Sequence, residues 1–202
     1  MRSTIFRKVG YLPLLALALA PVASASPAMN IKNSTVAEGQ ARNFETEASD
    51  LLKEIKSLSG KLRTDASTLE SYKRQPRLSW QTHAGQLTKA REHINAIGER
   101  LDRLQAIQSV TAPWQQRAID EIVPVAADVA AHTQSAIEHL NENRTYLYAP
   151  VYAEHLTSIS EQSNELNDSV DAFLEFGDTS DQLDRMQQKL DRLQERIGLS
   201  ES

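Results

Sequence analysis

Apolar residues between Trp80 and Ile107 recur with the seven-residue spacing of a coiled-coil helix. A seam this narrow is buried only when other helices pack against it, so it predicts an all-α fold. The two seam positions are occupied by Trp80, Leu87, Ile94 and Leu101 and, three residues later in each repeat, by His83, Ala90, Ile97 and Leu104.

The segment before this helix predicts a second long helix with one apolar stripe. Thr35 and Glu38 have the spacing of a capping box, which predicts a helix start at Thr35. The apolar spacing continues past Gly60, so we expect this glycine to weaken the helix without ending it. A basic turn over residues 73–77 follows, and Ser79 is the predicted N-cap of the next helix. The stripe consists of Ala41, Phe44, Ala48, Leu51, Ile55, Leu58, Leu62, Ala66, Leu69 and Tyr72.

Two further helices are predicted after a tight connection near residue 110. Thr111 is the expected N-cap of the third helix, and Pro113 fits its first turn. Pro124 lies inside this helix and predicts a kink. Pro150 opens the fourth helix, for which Gly177 is the expected end.

The last segment has the pattern of a short coiled-coil helix. Thr179 and Gln182 form a second capping-box pattern, and charged residues surround the apolar positions that follow. The sequence therefore predicts an elongated up-down four-helix bundle over residues 35–177 and a fifth, coiled-coil-like helix over residues 178–202. The apolar positions of this fifth helix are Leu183, Met186, Leu190, Leu193 and Ile197.

The N-terminal 25 residues have the pattern of a secretory signal peptide. Basic residues come first, an apolar run from Val9 to Val22 follows, and the segment ends with Ala23-Ser24-Ala25. We therefore expect cleavage after Ala25, a flexible leader over residues 26–34, and a protein that is periplasmic or secreted. No later stretch is apolar enough to span a membrane, so no integral membrane segment is expected after cleavage.

Charge and cysteine content narrow the possible partners and cofactors. The chain has a net charge of −5, and removal of the basic signal peptide makes it more acidic. An acidic chain is a poor candidate for nucleic-acid binding. The chain has no cysteine, which excludes disulfides, thiolate metal sites and covalently attached haem.

In an up-down bundle, the ends of helices one and three meet the starts of helices two and four. This arrangement gathers tyrosines, histidines and arginines at one end of the predicted bundle. Such aromatic and basic side chains could line the mouth of a site for an aromatic or anionic ligand, although tyrosines are also ordinary where a core meets water. The candidate ligand-binding residues are Tyr72, Trp80, His83, Tyr146, Tyr148 and Tyr152.

The sequence predicts no catalytic residues, no metal site and no cofactor. His132 and His139 lie two turns apart on one helix face, about 10.5 Å by helical rise, which is too far to share an ion. No Glu-x-x-His pair, Gly-x-Ser-x-Gly elbow or phosphate-binding glycine loop occurs.

These observations favour a non-enzymatic interaction or scaffolding protein of the cell envelope. Its coiled-coil faces would bind a second copy of the chain, as a homodimer, or another helical protein. The alternative is a small-ligand carrier or sensor domain whose mouth is the tyrosine-rich end.

Overall fold

The structure is a computed structural model that describes residues 31–75 and 77–198, with side chains from residue 42 to residue 197 except Pro76. The predicted signal peptide and residues 26–30 of the predicted leader lie outside the described residues. All regular elements in the described part are helices, which confirms the all-α prediction. The four long helices are α1 (Ile31–Tyr72), α2 (Trp80–Ile107), α3 (Pro113–Glu142) and α4 (Pro150–Gly198).

Helix α2 forms where the seven-residue pattern predicts it. The Ser79 hydroxyl accepts a hydrogen bond from the Thr82 backbone N–H at 3.3 Å, as expected of an N-cap. Its predicted seam is buried from His83 to Leu104, whereas Trp80 at the helix start is half-buried. The apolar spacing in this stretch therefore identifies the buried face of α2.

Helices α1 and α3 start at different residues from those predicted. Helix α1 begins at Ile31, one turn before Thr35, and it continues through Gly60 as expected. The N-cap of α3 is Ala112, so the prediction of Thr111 is wrong. The Thr111 hydroxyl instead donates to the Gln108 carbonyl and closes a short 3-10 turn over Gln108–Val110. Helix α3 continues through Pro124.

Helices α1 and α2 run in opposite directions, as their cross-helix contacts show. The Arg103 guanidinium of α2 donates two hydrogen bonds to the Glu47 carboxylate near the start of α1, at 2.6 and 2.9 Å. Closer to the start of α2, His93 lies 2.8 Å from Asp65 of α1.

Helix α4 closes the ring of contacts, because it packs against both α1 and α3. Ser59 of α1 donates to Asn167 of α4, and Tyr152 near the start of α4 stacks on His139 near the end of α3. The four helices share one hydrophobic core, which α4 enters through Tyr152, Leu156, Ile159, Leu166 and Val170.

A separate fifth helix is absent from the described residues, because α4 is continuous from Pro150 to Gly198. The sequence prediction placed a helix end at Gly177. In the structure Gly177 is buried, and a methyl group built on it would lie 2.6 Å from the Trp114 ring of α3. Gly177 therefore permits close packing of an indole on the α4 backbone, which is a different use of glycine from a helix stop.

Candidate functional site

Four aromatic rings from all four helices meet at one end of the core. Tyr72 of α1 lies with its ring centre 5.0 Å from that of His83 of α2. His83 in turn contacts Tyr152 of α4, which stacks on His139 of α3 with ring centres 5.3 Å apart and an interplanar angle of 18°. We call Tyr72, His83, His139 and Tyr152 the aromatic cluster.

A hydrogen bond between two buried side chains lies at the centre of the aromatic cluster. The His83 Nδ1 atom and the Tyr152 hydroxyl are 2.9 Å apart, and Tyr152 is only 1% exposed. Burial lowers the pKa of His83 and raises that of Tyr152, because a charged form of either group would lose its hydration. Both groups are therefore neutral near pH 7, and each satisfies the other's polar atom.

The predicted ligand-binding residues divide into two groups in the structure. Tyr72, His83 and Tyr152 converge in the aromatic cluster. Trp80 is half-buried at the start of α2, and Arg144 lies over its ring at 4.6 Å, a cation–π contact. Tyr146 and Tyr148 lie on the connector before α4 and are at least half exposed. A ligand-binding role for these six residues stays a prediction.

A second histidine contact lies between α3 and α4. The Nδ1 atoms of His132 and His155 are 3.2 Å apart, and both rings are partly buried. Burial lowers the pKa of His155, and the neighbouring His132 lowers it further. Sequence reasoning missed this pair because it compared histidines within one helix, and His132 and His155 meet only when α3 and α4 pack together.

The C-terminal part of α4 presents a continuous apolar face to solvent. Leu183, Met186, Leu190 and Leu193 are between 50% and 61% exposed, and we call these four residues the C-terminal seam. Ile197 continues the same spacing and is also exposed. All side chains of residues 181–197 are exposed, in contrast to the buried face that α4 has before Gly177.

The C-terminal seam faces away from the helical core. At about 100° of rotation per residue, its mean direction lies between a quarter and half a turn around α4 from the stripe that includes Leu166 and Val170. Helices α1 and α3 pack on the side of that buried stripe. We call the part of the molecule in which the four helices share a core the body. The seam therefore points outward from the body.

No family model, curated protein or solved structure matches the chain. In the described residues, no helix is long and apolar enough to cross a membrane. The same part of the chain holds no group of three or more His, Cys, Asp or Glu side chains placed to bind one metal ion.

Proposed function

We propose that this chain is a non-enzymatic interaction protein whose α4 helix pairs with the α4 helix of a second copy. The observation that carries the proposal is the exposed C-terminal seam, which repeats with the three-and-four spacing of a coiled coil. An apolar face of this length is unusual on a monomer and is typical of an interaction surface. On this proposal, the body is an elongated up-down four-helix bundle that presents the seam.

The expected pairing is weak enough to depend on concentration. Burying the exposed half of four large apolar side chains contributes on the order of 5 kcal/mol per copy, or about 10 kcal/mol for two copies. Association costs about 4–15 kcal/mol in lost translational and rotational freedom. The two quantities are similar, so we expect a reversible equilibrium between monomer and dimer.

The residues beside the seam favour a parallel over an antiparallel pair. Leu183 and Leu190 take the a positions, which makes Lys189 and Arg196 g residues and Gln187 and Gln194 e residues. A parallel pair places Lys189 of one copy beside Gln194 of the other. An antiparallel pair centred on the seam places Lys189 beside Lys189 of the second copy, a repulsive contact.

The direction of the seam is also compatible with a parallel pair. Because the seam points away from the body of its own chain, two copies related by a two-fold axis along the seam place their bodies on opposite outer sides. The two bodies then do not clash sterically beside the paired helices. With the predicted signal peptide, this geometry supports a scaffolding role in the periplasm or outside the cell.

The test is the solution mass of the purified protein, measured by light scattering over a range of concentrations. The unmodified protein should pass from monomer to dimer as concentration rises. Leu190→Glu should remain monomeric, because it buries a charge in the pair. Gln188→Glu is the matched control: it adds the same charge to the opposite, solvent-facing side of α4, and should dimerise normally. A strict monomer, or equal dimerisation by both variants, would contradict the proposal.

The ligand-carrier alternative has less support from the geometry. The His83 Nδ1 atom and the Tyr152 hydroxyl bond to each other inside the core, so this pair already has a partner without a guest. The ligand-carrier hypothesis predicts that a small molecule co-purifies with the protein and that Tyr152→Ala or Trp80→Ala abolishes its binding. Mass spectrometry of protein purified from its native host would detect such a ligand.

A further inference from the structure

We propose that His132 and His155 bind a divalent metal ion such as Zn²⁺ between α3 and α4. The inference rests on the position of their Nδ1 atoms, which approach each other across the two helices at 3.2 Å. Neutral imidazole nitrogen is a preferred ligand for zinc, copper and nickel. The site is independent of the C-terminal seam.

The separation of the two nitrogens matches that of two ligands on one zinc ion. Zinc binds histidine nitrogen at about 2.0–2.1 Å in tetrahedral geometry, which places two such nitrogens about 3.3–3.4 Å apart. The observed 3.2 Å is also the length of an N–H···N hydrogen bond, and the two nitrogens face each other directly, so each ring must turn by about 35° to direct its lone pair at a shared tetrahedral ion. Both donors therefore have nearly the required separation before the ion arrives, and binding exchanges their hydrogen bond for two metal–nitrogen bonds.

Helix packing fixes the backbone positions of both histidines. His132 precedes the buried Thr133 of α3, and His155 precedes the buried Leu156 of α4, so each backbone position is fixed by a neighbour in the core. The rings are tilted by 48° with centres 5.5 Å apart, so they meet edge to edge and are not stacked. In this arrangement the two Nδ1 atoms face each other across the α3–α4 contact.

The number of protons on the two rings does not change when the ion binds. In the metal-free protein, one Nδ1–H donates to the other Nδ1. When the ion binds, that proton leaves Nδ1 and the same ring takes a proton from water at Nε2, so each imidazole stays neutral.

Two imidazoles leave part of the coordination sphere to water. No third His, Cys, Asp or Glu joins them in the described part of the chain. An ion with two protein ligands links α3 to α4, and it should stabilise the folded protein in proportion to its occupancy. We therefore expect moderate affinity and a measurable rise in melting temperature.

The experiment titrates EDTA-treated protein with zinc chloride by calorimetry and repeats the thermal melt with and without zinc. Zinc should bind with one-to-one stoichiometry and raise the melting temperature. His132→Ala and His155→Ala should each weaken zinc binding at least about tenfold, because even the substitution of a residue that only contacts a metal ligand lowers metal affinity by about that factor. His93→Ala is the matched control: it removes a half-buried imidazole that contacts Asp65, and should bind zinc normally.

A spectroscopic measurement keeps the proposal testable if an alanine variant does not fold. Nitrogen-15 NMR of the unmodified protein should show zinc-dependent shifts at Nδ1 of His132 and His155, with the other imidazoles unchanged. The proposal is overturned if zinc does not bind, if it shifts other histidines only, or if folded His132→Ala and His155→Ala bind it as the unmodified protein does.

Discussion

The two parts of α4 place their apolar residues in different surroundings, although they belong to one continuous helix. Before Gly177, the apolar stripe faces the core and side chains such as Leu166 are fully buried. After Gly177, the apolar positions move to another side of the helix and Leu190 is 54% exposed. The same residue type therefore serves folding in the first part and, on our proposal, association in the second.

The largest expected difference is between leucine truncations in the two parts. Leu166→Ala should lower the free energy of unfolding by about 2–5 kcal/mol, because it leaves a cavity in the core. Leu190→Ala should change it by less than about 0.5 kcal/mol in dilute protein, where the chain is monomeric. Urea unfolding at low protein concentration measures both. Equal losses would show that the seam is covered within one chain.

Glycine substitutions test the boundary between the two parts. Gly177→Ala should destabilise the protein by about 1–3 kcal/mol, because its methyl group would overlap the Trp114 ring. Gly60→Ala is the control in α1, where the added carbon would meet only Asn167 at an ordinary 3.7 Å. That variant should gain about 0.5–1 kcal/mol from reduced freedom of the unfolded chain. Thermal unfolding of both variants distinguishes close packing from a general intolerance of alanine.

Removal of one hydroxyl tests the aromatic cluster in the body. Tyr152→Phe should cost about 1–3 kcal/mol, because the buried Nδ1 atom of His83 then has no partner. Tyr146→Phe removes the same atom from a side chain that is 58% exposed, and should be nearly neutral. Chemical denaturation of both variants gives the comparison. A neutral Tyr152→Phe would show that the hydrogen bond contributes little to stability.

The smallest expected effect is the dependence of stability on pH. Burial lowers the pKa of His83 and of His155, so the unfolded chain binds protons there that the folded protein does not. Their contribution is constant above about pH 6.5, the ordinary histidine value, and is lost as pH falls toward the lower folded pKa values. Urea unfolding in EDTA from about pH 7.5 to about 5.5 should show this decline. The double variant His83→Gln, His155→Gln should show a smaller one.

Apolar spacing is sufficient to predict much of this fold. The seven-residue pattern of α2 identifies its buried face, and the stripe in α1 correctly continues past Gly60. Helix ends are harder to predict, since Gly177 and a helix-ending glycine look alike in sequence. The difference depends on Trp114, which is 63 residues away in the chain and reaches Gly177 only in the folded protein.

The candidate sites show the same limit. Knowing which helix ends meet is enough to bring Tyr72, His83 and Tyr152 together, and the structure does bring them together. It is not enough to show that His83 bonds to Tyr152, because that depends on side-chain direction. The pairing of His132 with His155 depends on how α3 and α4 are rotated about their axes relative to each other. The apolar pattern determines that rotation only approximately, so it does not predict which flanking side chains meet.

Amide hydrogen exchange of residues 178–198 at several protein concentrations tests the central claim most directly. A helical segment whose side chains are exposed opens easily, so these amides should exchange rapidly in dilute protein. Their protection should rise with concentration as the seam pairs, while amides of residues 152–170 stay protected throughout. Protection of residues 178–198 that does not change with concentration would contradict pairing through the C-terminal seam.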